Sequence, residues 1–174
     1  MTTTPTTLAD VLRQATDTKG QIADLARRAA GCVSQAENAP ADFDFNEVNA
    51  ERKAAVERLV YLNTVLARSN AVTTIEWKGR QIIVAEVIRR KAEISGEIKF
   101  LEGLTLRNGP AKTATGEYSD RGQPVYETVN WKSALTEPVR VKQLAALKAD
   151  CSALDRALQT SNHGTLVDLE DPAP

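Results

Sequence analysis

Ser161, His163 and Asp168 are the residues whose types and proximity could do chemistry together: a hydroxyl nucleophile, an imidazole base and a carboxylate to orient it. His163 is the single histidine of the chain, so any such triad would have to form here. All three crowd around what reads as one helix terminus, and no strained strand-to-helix turn presents the serine as a nucleophile. The cluster reads as helix capping rather than hydrolysis. One histidine also denies the chain a helical di-metal centre, which draws on Glu-x-x-His pairs from facing helices. Cys32 and Cys151 lack CxxC spacing and histidine neighbours, and read as buried structural thiols. No glycine-rich loop joins a strand to a GK[ST] helix start, so a phosphate loop is not expected. The reading assigns no catalytic, cofactor-binding or metal-ligating residue, and it weighs against an enzyme.

Charge excludes more. The 22 basic and 23 acidic residues nearly cancel, leaving no global field to capture nucleic acid or an anionic membrane. The densest basic run, Arg89-Arg90-Lys91, spreads around a helix with Glu86, Glu93 and Glu97 three or four residues away, which reads as solvated intrahelical pairs. Arg107, Lys112 and Arg121 have Glu117 and Asp120 nearby in sequence. No apolar run reaches the roughly 18 residues that span a bilayer, and the opening MTTTPTTLAD lacks the basic region and apolar core of a signal peptide. A cytoplasmic protein is expected.

The elements follow from periodicity. Hydrophobic residues make up 42% of the chain and aromatics only 5%, so the core must be aliphatic and suited to close helix packing. Leu8, Ala15, Ile22 and Ala29 alternate with Val11, Thr18, Leu25 and Cys32 as a heptad seam, predicting a helix over about 7–34 that Thr7 caps with Asp10 three residues on. Pro40 stops it, and Asp42, Asp44 or Asn46 can cap a second helix over 46–69 carrying Val48, Ala55, Leu59, Leu62 and Leu66. VTTIEW then alternates in the strand sense before a Lys78-Gly79 turn. A third helix is predicted over 81–104. Glycines and prolines make 105–124 a long flexible surface loop, and VYETVNW a second strand. Thr136-Glu137-Pro138 opens a fourth helix, 137–162, and 165–169 reads as a last short strand before a disordered tail, 170–174.

These elements define the expected fold: one mainly α domain over 1–169, an elongated bundle of four long helices in antiparallel hairpins with coiled-coil-like packing, and two or three short β-strands at one end. One feature repeats. Leu66, Ser69, Asn70, Thr73 and Ile75 return in type and spacing as Leu158, Ser161, Asn162, Thr165 and Val167. The shared residues are those that stop a helix and start a strand. Asn70 and Asn162 therefore read as left-handed C-terminal residues, and strands around Ile75, Val129 and Val167 would form a small sheet if they pair. Gly79 serves the turn, and Trp77 and Trp131 read as core or interface anchors.

The chain resembles a group of small bacterial proteins that often carry the name septicolysin. The likeness rests on Leu62-Asn63, Arg68-Ser69-Asn70 and Thr73, on Gly79 with the Ile82-to-Leu104 helix and its Arg89-Arg90-Lys91, on the Val139-to-Leu158 helix, and on Ser161-Asn162 with Thr165. This chain departs from that pattern in having His163 where many relatives carry an aromatic residue. The resemblance implies a mainly helical, oligomeric protein, and its name hints at a cytolysin.

Three functions are thus open. The leading reading is a non-enzymatic homo-oligomeric scaffold or interaction protein whose partner is itself, with an unidentified protein partner also open. The second is a membrane-acting protein, to which charge-balanced helices give little support. The third is an enzyme with a site in the 105–124 loop at a subunit interface.

Overall fold

The computed structural model describes residues 5–34 and 43–169. Pro40 with its expected turn, and the expected disordered tail 170–174, lie outside the described residues. Helix makes up 64% of the described residues, in four helices joined by short antiparallel strands in small sheets. The order is β1 (Thr6–Thr7), α1 (Leu8–Cys32), α2 (Phe45–Val72), β2 (Thr74–Trp77), β3 (Arg80–Ile83), α3 (Val84–Gly103), β4 (Gly109–Tyr118), β5 (Pro124–Trp131), α4 (Glu137–Gly164) and β6 (Leu166–Val167). The chain divides into two compact units, Met1–Arg89 with Leu154–Pro174, and Arg90–Ala153.

In the first unit, local chemistry sets the helix starts. Thr7 caps α1 by accepting the Asp10 N–H, while its own hydroxyl donates to Asp10 Oδ2 at 2.7 Å. Asp44 caps α2 by accepting the N–H groups of Asn46 and Glu47 at 2.7 and 3.0 Å. Each cap satisfies donors that a helix otherwise leaves free. The apolar stripes then meet: Leu25 and Ala29 of α1 cluster with Val48 and Ala55 of α2, and Val11 and Ala15 cluster with Leu62. Alanines at the contacts let the backbones approach. Leu8, Val11, Leu62, Val84, Val87 and Leu154 are its most deeply buried large side chains.

Helices α2 and α4, which both end in this unit, stop by one device. The Thr73 N–H donates to Ser69 O and the Thr165 N–H to Ser161 O, each at 2.9 Å. The next carbonyl on each path also finds a helix start: Thr73 O accepts from Val84 N at 2.9 Å, and Thr165 O from Leu8 N at 3.0 Å. The left-handed ends expected at Asn70 and Asn162 do not occur. Asn70 lies inside α2 and Asn162 inside α4, and among the described residues Lys78 is the non-glycine residue with positive φ. At the first exit the reason is the β-branched Val72-Thr73-Thr74, which favours extended backbone; Thr73 has φ −72° and ψ 131° and passes straight into β2.

The strands also pair differently from expectation. Ile75 pairs with Ile82, Val129 with Ala111 and Val167 with Thr6, so the described residues form three separate two-stranded sheets rather than one shared sheet. Each strand finds its partner across a turn or beside a helix start. Residues 81–83, expected as the beginning of the third helix, belong to β3 (Arg80–Ile83) instead. The two-residue Lys78-Gly79 turn, with φ of +50° and +75°, folds β3 directly back on β2.

The second unit corrects the expected loop. Residues 109–118 are a strand paired in register with β5, from Gly109 opposite Trp131 to Ala114 opposite Tyr126. The glycines that read as loop signals serve the hairpin: Gly116, at φ +84°, lies in the irregular stretch between Ala114 and Tyr118, and Gly122, at φ +71°, lies in the end turn. Ser133 ties the hairpin base by accepting the Arg107 N–H and donating to the Arg107 carbonyl, both at 2.9 Å. Its own N–H donates to Asn108 Oδ1. Nearby, Lys148 pairs with Glu102 at 2.7 Å and Arg140 Nη1 donates to the Leu104 carbonyl at 2.8 Å, linking α4 to the end of α3.

Candidate functional site

The Ser161, His163 and Asp168 cluster does not assemble. Ser161 Oγ is buried without a hydrogen-bond partner, while His163 and Asp168 are exposed. An isolated hydroxyl with no base within hydrogen-bond reach is not activated as a nucleophile. His163 acts elsewhere: its charge is among the influences that hold the Asp10 carboxyl below its ordinary range. The larger cause is the hydrogen bond from the Thr7 side chain, with burial opposing it and Arg13 assisting. Cys32 is buried and Cys151 half-buried, both as free thiols. Among the described residues no group of three or more His, Cys, Asp or Glu side chains could hold a metal ion.

The other residues singled out by sequence lie apart. Asn70 and Asn162 are half-buried in the last turns of α2 and α4. Trp77 ends β2, with Lys78 Nζ 4.7 Å from its ring centroid and Gly79 following in the turn. Trp131 belongs to the other unit, where it ends β5 and carries the Arg107 guanidinium 5.0 Å from its ring centroid. A cation over an indole face holds both side chains at modest energy.

Among the described residues, the helix exits of the first unit form two concavities. One, of about 500 Å³, is lined by Tyr61, Val65, Arg68, Ser69, Val72 and Thr73 from the end of α2 and by residues 165–168. The other, of about 400 Å³, is lined by residues 73–76 and by Ala157, Thr160, Ser161, Gly164 and Thr165 from the end of α4. Both are open grooves, with Thr73 and Thr165 common to them. Sequence reasoning did not find them. The repeated helix exits were their signal, because each groove lies between the exit of one helix and the strand released by the other.

The second unit offers a surface rather than a cavity. Both hairpin strands leave most residues exposed, including Tyr118, Tyr126 and Trp131 at 72%, 58% and 36%. Leu101 is the one buried residue among positions 90–153, although Phe100, Val139 and Val141 are apolar and exposed. A hairpin of two strands is marginal in water without a covered face.

No protein-family model matches the chain, and no curated protein matches it. A solved structure does: a functionally unknown conserved protein from Corynebacterium diphtheriae, 15% identical, superposes with a TM-score of 0.73 over 95% of this chain and 100% of that one. At that identity the likeness shows a shared fold. No helix among the described residues is long and apolar enough to cross a membrane.

Proposed function

We propose that the protein is a non-enzymatic, homo-oligomeric interaction protein whose assembly surface is the β4–β5 hairpin with the adjoining first half of α4. The observation that supports this is the bareness of residues 90–153. A ten-residue strand, an eight-residue strand and the first 17 positions of a 28-residue helix contribute no buried residue, yet they carry Tyr118, Tyr126, Trp131, Val139 and Val141. A second copy of the chain would cover this surface, and Leu144, Leu147 and Cys151, at the heptad spacings of three and four, would give coiled-coil-like packing between helices. Charge balance on the chain suits self-association at modest salt, and a cytoplasmic setting is part of the proposal.

The membrane-acting reading suggested by the septicolysin resemblance is weaker on the same surface. On the hairpin face that groups Trp131, Val129 and Ala111, Glu127 lies opposite Thr113, and the other face carries Lys112. A charge on either face opposes lipid contact. Light scattering coupled to size exclusion tests the proposal. At about 10 μM, a concentration that populates complexes of micromolar Kd, the intact chain should run as a multimer. Replacing 109–131 by a short Gly-Ser linker should reduce it to a monomer. An intact chain that is monomeric under those conditions refutes the assembly reading, and dye release from anionic vesicles by the intact chain would favour the membrane one.

A further inference from the structure

We infer that the chain is a fused homodimer: residues 6–77 and 80–167 are two copies of one strand–helix–helix–strand module, and the face on which they meet is a self-association surface whose natural partner is a second copy of that module.

The first argument is register. In the order β1-α1-α2-β2 and β3-α3-α4-β6, with the β4–β5 hairpin inserted between the second pair of helices, each module enters a helix directly from one strand and leaves by another. The exit strand of each module pairs with the entry strand of the other. Superposing Leu8 on Val84 and Thr73 on Thr165 turns one pairing into the other: Thr7 opposite Leu166 corresponds to Ile83 opposite Thr74, and Thr6 opposite Val167 to Ile82 opposite Ile75. The helix-exit bonds, Thr73 N to Ser69 O and Thr165 N to Ser161 O, correspond under the same superposition. So do the bonds from Val84 N and Leu8 N to the threonine carbonyls.

Burial supplies the second argument. The same correspondence places Leu8 on Val84, both 1% exposed, and Val11 on Val87 and Leu62 on Leu154, all 0% exposed. These six are the most deeply buried large side chains of the described residues, and they fall into three equivalent pairs. Contacts cross between the modules at this core: Val167 of the second packs, with Leu169 just beyond it, against the Val11, Ala15 and Leu62 cluster of the first.

The grooves are the third. Exchanging the modules carries Val65, Arg68, Ser69, Val72 and Thr73 onto Ala157, Thr160, Ser161, Gly164 and Thr165, and residues 165–168 onto 73–76. One groove thus becomes the other, as a pseudo-twofold axis between Thr73 and Thr165 requires. An isologous interface has this property, in which each contact occurs twice with partners exchanged. A four-residue β-hairpin or a recurrent capping motif would reproduce the local bonds but not the paired burial and paired grooves.

An exchange of segments within the full-length chain tests the inference. Residues 69–75, SNAVTTI, are placed at 161–167, and residues 161–167, SNHGTLV, at 69–75. Equivalence predicts a cooperative melt within about 8 °C of the parent. The same exchange displaced by one residue, which turns the strand faces over, should lose the cooperative transition. A second variant guards against a merely local defect: a circular permutant beginning at Arg80, with Leu169 joined to Pro5 by a short linker, makes β6–β1 the continuous hairpin and opens the β2–β3 one. It should melt cooperatively as well. An in-register exchange that melts no better than the displaced one, together with an unfolded permutant, overturns the inference. If either variant folds as expected while the displaced exchange does not, the inference stands.

Discussion

Replacing Leu62 by alanine measures how much of the fold rests on the first core. Leu62 is fully enclosed at 0% exposure, against Val11 and Ala15 with Leu59, Tyr61, Val65, Leu66, Val167 and Leu169 around it. Truncation removes three buried carbons, about 2.5 kcal/mol of transfer free energy at roughly 0.8 kcal/mol each. The cavity term comes on top, since neighbours on two helices and a strand can collapse only in part; the expected cost is about 3–4 kcal/mol. For a chain of this size that corresponds to a fall in Tm of roughly 6–16 °C. Urea denaturation followed by helical circular dichroism would show a lower midpoint at an unchanged m value. Val60→Ala, two positions away on the same helix but 55% exposed, should cost no more than about 0.5 kcal/mol. If Leu62→Ala costs under about 1 kcal/mol, or if both variants cost the same, the α1–α2 core described above is wrong.

Gly79→Ala should destabilise by about 1 kcal/mol through conformation alone, because φ is +75° and no atom lies within 4 Å of an added Cβ; a thermal melt reads it. Ser161→Ala should leave stability unchanged or raise it by up to about 1 kcal/mol, since the buried hydroxyl has no partner. By contrast Ser69→Ala, which removes a side chain 3.4 Å from the Thr73 hydroxyl, should lower stability by about 0.5–1 kcal/mol, and paired urea titrations separate the two. Asp10 gives a pH dependence: its native carboxyl titrates below the ordinary range, so its contribution is complete above about pH 4 and is lost as pH falls through the lowered native value. Asp10→Asn should therefore destabilise at neutral pH and converge on the parent in acid; a difference that grows on acidification would contradict the Thr7–Asp10 assignment.

The sequence by itself determined the elements whose causes are local. Thr7 with Asp10 and Asp44 with its following N–H groups mark helix starts because a side-chain acceptor must meet donors two or three residues on. The heptad stripes of α1 and α2 locate the residues that are buried, and the shared Ser-Asn-x-x-Thr exits announce a device that recurs. What that device was could not be read there. Asparagine tolerates the left-handed conformation but does not require it, and whether Asn70 and Asn162 adopt it depends on where the Thr73 and Thr165 carbonyls find donors, at Val84 and Leu8. Those donors are distant in sequence or belong to the opposite end of the chain. The first strand of the hairpin, 109–118, was hidden for a related reason: most of its residues are small or polar, both its faces are largely exposed, and no hydrophobic alternation records a buried side, whereas the alternation of 125–131 already marked the second strand. Only the tertiary structure decided which strands pair, because pairing satisfies backbone groups that every residue type carries alike.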